Sequence, residues 1–186
     1  MKKLLLILLC LPLLTLAQKT YVPDDNFEAY LEANGMGDGI VLNDSVLTGI
    51  INTIGYLDVS NKNIADLTGI EDFISLTYLN CGANYITSLD LSNNTALTYL
   101  TCRYNFLTSL DVSGATALMG LDCIVNQLTS LDVSQNTALI ELDCGSNQLT
   151  SLDVSQNTAL TKLWCQENQL TSLDVSNNTA LTHLRC

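Results

Sequence analysis

Leu97-Thr98-Tyr99-Leu100-Thr101-Cys102-Arg103-Tyr104-Asn105-Phe106-Leu107-Thr108-Ser109-Leu110-Asp111-Val112-Ser113-Gly114-Ala115-Thr116-Ala117 is one turn of a repeating chain, and at Leu118 the pattern begins again. Its skeleton is L-x-x-L-x-C-x-x-N-x-L-T-S-L-D-V-S-x-x-T-A, and five such units run in register from Leu76 to Ala180. Cys81, Cys102, Cys123, Cys144, Cys165 and Cys186 follow one another at a constant interval, the length of that unit. A unit this small cannot bury its apolar face alone, so a fixed period of this length means stacked coils sharing one core, a solenoid. Within the unit, Tyr99 to Arg103 alternates, which predicts a short strand with Leu100 and Cys102 inward and Tyr99, Thr101 and Arg103 outward. Stacked copies make a parallel sheet with about 4.8 Å per coil. Leu97, Leu107, Leu110 and Val112 complete the interior ring. Leu110-Asp111-Val112 also alternates, which predicts a second short strand or extended turn on the opposite side.

The first half of the skeleton matches the leucine-rich-repeat pattern, with Cys where many such repeats place Leu and Asn three positions later. From about Ile54 to Cys186 the chain resembles the bacterial leucine-rich-repeat proteins, especially secreted ones of the Bacteroidetes type. The resemblance implies an α/β repeat solenoid, mostly β, a right-handed coil with a parallel sheet on one face. Ile54-Gly55-Tyr56-Leu57-Asp58-Val59 opens an earlier, diverged unit. There Leu57, Val59 and Ile64 precede Leu79, Cys81 and Ile86 by one position more than the regular interval, and Lys62 replaces the usual Asn.

Two segments precede the solenoid, which occupies residues 54–186 on this reading. Residues 1–17 read as a cleaved secretory signal: Lys2 and Lys3 precede an apolar run from Leu4 to Leu16, and Thr15-Leu16-Ala17 offers small residues for cleavage. Pro12 interrupts the run, which is short for a membrane span, and Ile7-Leu8-Leu9 before Cys10 lacks the small residue a lipidation site wants. No later segment is long and apolar enough to span. Residues 18–53 read as a cap. Pro23-Asp24-Asp25-Asn26 offers capping oxygens, Phe27, Tyr30 and Leu31 lie at i, i+3, i+4, and Asn34-Gly35 ends the short helix. Its apolar face is expected to cover the open end of the first coil. At the other end the chain stops at Cys186 in mid-strand without a polar cap, and an uncapped edge invites association, so a fragment is expected, or further repeats and a sorting or attachment domain after it.

The formal net charge is −12, from 7 Lys and Arg against 19 Asp and Glu. Such acidity opposes phosphate backbones and anionic lipid, so no nucleic-acid partner is expected.

Repeated residues stack into columns. Asn84, Asn105, Asn126, Asn147 and Asn168 are expected to bond backbone groups where the chain leaves each strand, and to bond each other. Stacked cysteines come within disulfide range, yet in-register side chains point the same way and a small buried thiol packs well, so free thiols are expected. Zinc needs ligands converging from separate directions, which one thiol per coil does not supply. Asp90, Asp111, Asp132, Asp153 and Asp174 should take hydrogen bonds from nearby Ser, Thr or backbone donors, with calcium bridging as the alternative. The glycine-rich nonapeptide of calcium-binding β-helices is absent, and a calcium loop at Asn34 to Gly39 would need more carboxylates than Asp38. No metal and no cofactor is expected.

The units differ mainly at the outward strand positions. One row holds Tyr78, Tyr99, Gly120, Glu141, Lys162 and His183, and the next Asn80, Thr101, Asp122, Asp143, Trp164 and Arg185. A third holds Gly82, Arg103, Ile124, Gly145 and Gln166. Tyr, Trp and Arg are the types that carry energy at interfaces. Exposed aromatic residues on this concave face nominate Tyr78, Tyr99, Thr101, Arg103, Asp122, Glu141, Asp143, Lys162 and Trp164 as ligand-binding residues. Tyr85, Tyr104 and Phe106 lie on the next edge. Catalysis is not expected: the one histidine, His183, has no nucleophile motif beside it, and Asp122 and Asp143 sit on neighbouring coils rather than across a scissile bond. The sequence thus reads as a non-enzymatic exported binding module, for protein first and surface polysaccharide second, with a structural spacer displaying other domains as the alternative. Oligomeric state stays open.

Overall fold

The structure, a computed structural model, describes residues 18–186, so the signal segment read at 1–17 lies outside the described residues. Strands β1 (Lys19–Tyr21) and β2 (Ser45–Leu47) pair antiparallel on either side of helix α1 (Asp25–Ala33), and the short helix α2 (Thr48–Ile51) leads into the coils. Helix α1 starts where the capping oxygens stand. Asp24 Oδ1 accepts from the backbone N–H of Asn26 and Phe27, both at 3.0 Å, which satisfies two donors that a helix start leaves free. Its Oδ2 accepts from Ala65 N at 2.8 Å and Asp66 N at 3.1 Å in the first coil. One carboxylate thus caps the helix and fastens it to the solenoid. Gly35, at φ 72, ends the helix, and Phe27 stacks on Phe73 with ring centroids 6.3 Å apart. Helix and first coil share one core.

The coils contribute β3 (Tyr56–Asp58), β4 (Tyr78–Asn80), β5 (Ser88–Asp90), β6 (Tyr99–Thr101), β7 (Ser109–Asp111), β8 (Gly120–Asp122), β9 (Glu141–Asp143), β10 (Lys162–Trp164) and β11 (His183–Arg185). Seven of these form one parallel sheet in the order β3-β4-β6-β8-β9-β10-β11, so coils adjacent in sequence are adjacent in space. The register follows the repeat: Leu57 faces Leu79 across the longer first coil, and Leu79 faces Leu100 across a regular one. Leu57, Leu79, Leu100, Leu121, Leu142 and Leu163 are buried, as are Cys81, Cys102, Cys123, Cys144 and Cys165, and all five thiols are unbridged. Burying each such leucine is worth about 1.5–3 kcal/mol, and nearly all of that comes from neighbouring coils.

On the opposite side the second strand forms only between β5 and β7 among the described residues, and the matching segments of later coils are extended without a ladder. Gly114 explains the difference. A Cβ there would fall 1.7 Å from Ser92 O, so only glycine lets this coil close against the one before, whereas later coils carry Gln135 and Gln156. Leu110 is half-buried rather than a full member of the interior ring, unlike Leu89, Leu131 and Leu152 at the same place in other coils.

The asparagine column differs in one respect from expectation: the amides bond backbone and not each other. Asn126 Nδ2 donates to Cys123 O at 3.0 Å and to Cys102 O of the preceding coil at 3.1 Å, and its Oδ1 accepts from Leu107 N at 3.0 Å. Asn105 and Asn147 repeat the arrangement. With both N–H groups committed to main-chain carbonyls, an amide has no donor left for its neighbour. The residue before each of these asparagines is left-handed, including Tyr104 and Val125 at φ 55, so the turn is tight and the amide clamps it.

A second asparagine column is not apparent in the repeat consensus. Asn94, Asn136, Asn157 and Asn178 are buried at the turn before each coil's first leucine, and each Nδ2 donates to two carbonyls of the preceding coil. Ala115 interrupts this column, and that gap hides it in the consensus.

Candidate functional site

The outward positions of the parallel sheet form two in-register rows. The first runs Tyr56, Tyr78, Tyr99, Gly120, Glu141, Lys162, His183, and the second Asp58, Asn80, Thr101, Asp122, Asp143, Trp164, Arg185. Because β-strands present alternate side chains to one face, all of these share the sheet surface. Sequence reasoning misses Tyr56 as a site residue, although the wider spacing of the first coil places it in the first row. It is exposed, and its ring stacks on Tyr78 with centroids 4.6 Å apart and planes 6° from parallel.

Seven of the nine nominated residues line one hollow of about 240 Å³: Tyr78, Tyr99, Thr101, Asp122, Glu141, Asp143 and Trp164, together with Leu100, Gly120 and Leu121. The other two, Arg103 and Lys162, stand beside it. Lys162 Nζ is 2.6 Å from Glu141 Oε1 and 5.9 Å from the centre of the Trp164 ring. Arg103 lies 3.8 Å from Asp122 Oδ2 and 5.8 Å from the Tyr104 ring. One expectation needs correcting: Tyr99 is 47% exposed, but Trp164 and Tyr78 are only half-buried, because stacking against Tyr56 and contact with Lys162 cover part of each ring.

Asp122 and Asp143 face each other in register on β8 and β9. Asp122 Oδ1 accepts from Ile124 N at 3.3 Å and Asp143 Oδ1 from Gly145 N at 3.1 Å. Partial burial pushes both carboxyls above their ordinary range, and Asp143 pushes Asp122 further. The opposite turn carries the regular aspartate column, where Asp90, Asp132, Asp153 and Asp174 accept from Ser92, Ser134, Ser155 and Ser176 N at 2.8–2.9 Å, and those bonds lower the carboxyls below their ordinary range. The troughs between these aspartates, about 380–410 Å³, are lined by short Ser, Leu and Asp side chains that hardly change from coil to coil. They are the grooves of the solenoid itself.

Carboxylate oxygens of Asp25, Glu28 and Asp44 approach within 4.8 Å of one another at the cap. Glu28, buried, already accepts from Asn43 N at 2.9 Å and Asp44 N at 3.2 Å, so it serves the loop. Asp38 pairs with Lys19 and Asn43, which holds its carboxyl down at about 2. The edge beside the sheet is aromatic, with Tyr85 and Phe106 stacked at 6.2 Å and Tyr104 exposed next to them. No helix among the described residues is long and apolar enough to cross a membrane.

Comparison with known proteins agrees with the fold. A functional domain of internalin J from Listeria monocytogenes, described as including a cysteine ladder, superposes with a TM-score of 0.82 at 45% identity, over 91% of this chain and 38% of that one. A leucine-rich-repeat protein of Leptospira interrogans gives 0.59 at 29% identity, over 62% of this chain and 32% of its own. Internalin C2 of Listeria monocytogenes gives 0.58 at 22% identity, over 90% of this chain and 87% of its own, a likeness of fold alone. The curated internalin J sequence is 47% identical over 75 residues, 40% of this chain and 8% of that protein. No family model matches. The chain is therefore a leucine-rich-repeat solenoid, spanning a minor part of the length of its internalin J relatives.

Proposed function

We propose that this chain is an exported, non-enzymatic binding module whose concave sheet takes a ligand, a protein before a surface glycan. One observation carries the reading: in coils that otherwise repeat almost unchanged, the differing residues Tyr78, Tyr99, Asp122, Asp143 and Trp164 gather in a single hollow. A rigid scaffold displaying aromatic and charged groups from successive strands supplies contact area with little entropy left to lose. Likeness to internalin J supports an interaction module, and export rests on residues 1–17 alone. The Bacteroidetes character likewise rests on the repeat pattern.

The test is retention of cell-surface protein and of surface polysaccharide by the immobilised chain, compared with Tyr99→Ala combined with Trp164→Ala. The reading expects the variant to lose retention while its circular dichroism is unchanged. Equal retention by a folded variant sinks it and favours a spacer.

A further inference from the structure

We propose that the hollow between Tyr99 and Trp164 takes a cationic side chain, arginine or lysine, presented by a protein partner. This deepens the concave-face reading and rests on it. Thr101, Asp122, Asp143 and Trp164 are aligned on four consecutive strands, with Tyr99 beside them. Two neighbouring carboxylates therefore stand beside Trp164 in one row, with the Tyr99 ring over Gly120 in the row next to them.

These carboxylates are incompletely served. Each takes one backbone N–H, at 3.3 Å and 3.1 Å, and the one basic group within 4 Å of either among the described residues is Arg103, at 3.8 Å from Asp122. The bonding is far thinner than at Asp24, whose two oxygens accept four N–H groups. Lys162, the nearest ammonium, is held by Glu141 at 2.6 Å. The same face shows how it treats a cation: Lys162 sits between the Glu141 carboxylate and the Trp164 ring, and Arg103 between Asp122 and the Tyr104 ring. Carboxylate plus aromatic face is the combination that holds guanidinium and ammonium groups. The centre of the hollow has that combination, and its Asp143 carboxylate has no cation within 4 Å among the described residues: Arg103 reaches only Asp122, at 3.8 Å, and Arg185 acts on Asp143 from farther away.

Charge complementarity favours a basic protein over a neutral glycan, since the whole chain is acidic at −12. An incoming cation would relieve the repulsion between Asp122 and Asp143 and so bind more strongly than to either alone.

Trp164 is the one tryptophan, so its fluorescence reports on the hollow directly. The full chain is titrated with N-acetyl-arginine amide, and with N-acetyl-citrulline amide, which keeps the shape and removes the charge. The inference expects a saturable response to arginine amide that salt weakens, none to citrulline amide, and affinity lowered about tenfold in Asp143→Asn. Backbone amide shifts on the unmutated chain should map to residues 99–101, 120–122 and 141–143, a readout independent of how the variant folds. No saturable response, an equal response to citrulline amide, or shifts elsewhere would overturn it. If retention depends on Tyr99 and Trp164 while arginine amide is inert, this inference fails and the concave-face reading stands. If arginine amide binds at the hollow while retention ignores both aromatics, the concave-face reading falls, and the inference of a protein partner at the hollow falls with it.

Discussion

The ring of Tyr99 lies across Gly120, so close that a methyl group on Gly120 would fall 2.7 Å from Tyr99 Cδ1. The glycine in the first row is therefore a seat for the aromatic side chain of the coil before it, and the hollow owes its floor to that absence of a side chain.

Gly120→Ala should leave the solenoid intact, because the clash is with a ring that can rotate and not with backbone. Tyr99 should be lifted off β8, and ligand retention should fall with little change in melting temperature. Retention equal to that of the unmutated chain would show that the seating of Tyr99 is irrelevant to binding.

Asp122 and Asp143, with carboxyls raised above the ordinary 3.8, should oppose the native state near neutral pH. A raised acid contributes stability that is complete below pH 3.8 and is lost as pH rises through the folded value. Asp122→Asn with Asp143→Asn removes that loss. Urea melts should find the double variant more stable than the parent at pH 7, with the gap closing below pH 3.8. The lowered carboxyls Asp38, Asp90, Asp132, Asp153 and Asp174 act oppositely. Their contribution is present above pH 3.8 and lost as pH falls through the folded values, so both proteins should weaken in acid. A gap that widens in acid would refute the assignment.

Asn126→Ala should cost about 1–3 kcal/mol, because buried Leu107 N loses its acceptor, while Cys102 O and Cys123 O each keep one asparagine donor, from Asn105 and Asn147. Asn157→Ala should cost less. Its Oδ1 has no partner already, and Ala115 fills the equivalent place in an earlier coil. Denaturant titration of the two variants checks the ordering.

The buried thiols should be inert. Burial raises Cys102, Cys123 and Cys144 well above the ordinary thiol range and Cys81 to about 12, leaving almost no thiolate at pH 8. Of the cysteines described, Cys186 alone is exposed. Thiol titration of the native chain should therefore report Cys186 quickly and the buried column only after denaturant is added. Rapid native reaction across the column would contradict the packing.

The coil is legible in the sequence because its cause is repetition: Leu100 and Cys102 fix which side of the strand is inside, and the constant period fixes what lies beside them. The helix is legible at Asp24 and Gly35 for the same local reasons that form it. The rows of the concave face follow from register, including the place of Tyr56, which is easily overlooked only because its unit is diverged. The seat under Tyr99 is not legible, since it depends on the direction a ring takes over its neighbour. The second asparagine column and its gap at Ala115 stand in the aligned repeats, but the way Gly114 draws β7 against β5 is not legible, because it is a contact between coils that no pattern within one coil encodes.

The central claim, that the concave sheet is the binding face, is tested most directly by hydrogen exchange on the chain before and after it engages the surface protein it retains. The account predicts added protection in strands β6, β8, β9 and β10, centred on Tyr99 to Trp164, with the aspartate column unaffected. Protection confined to Ser109–Asp111 and its counterparts in later coils, with the concave strands unchanged, would contradict it.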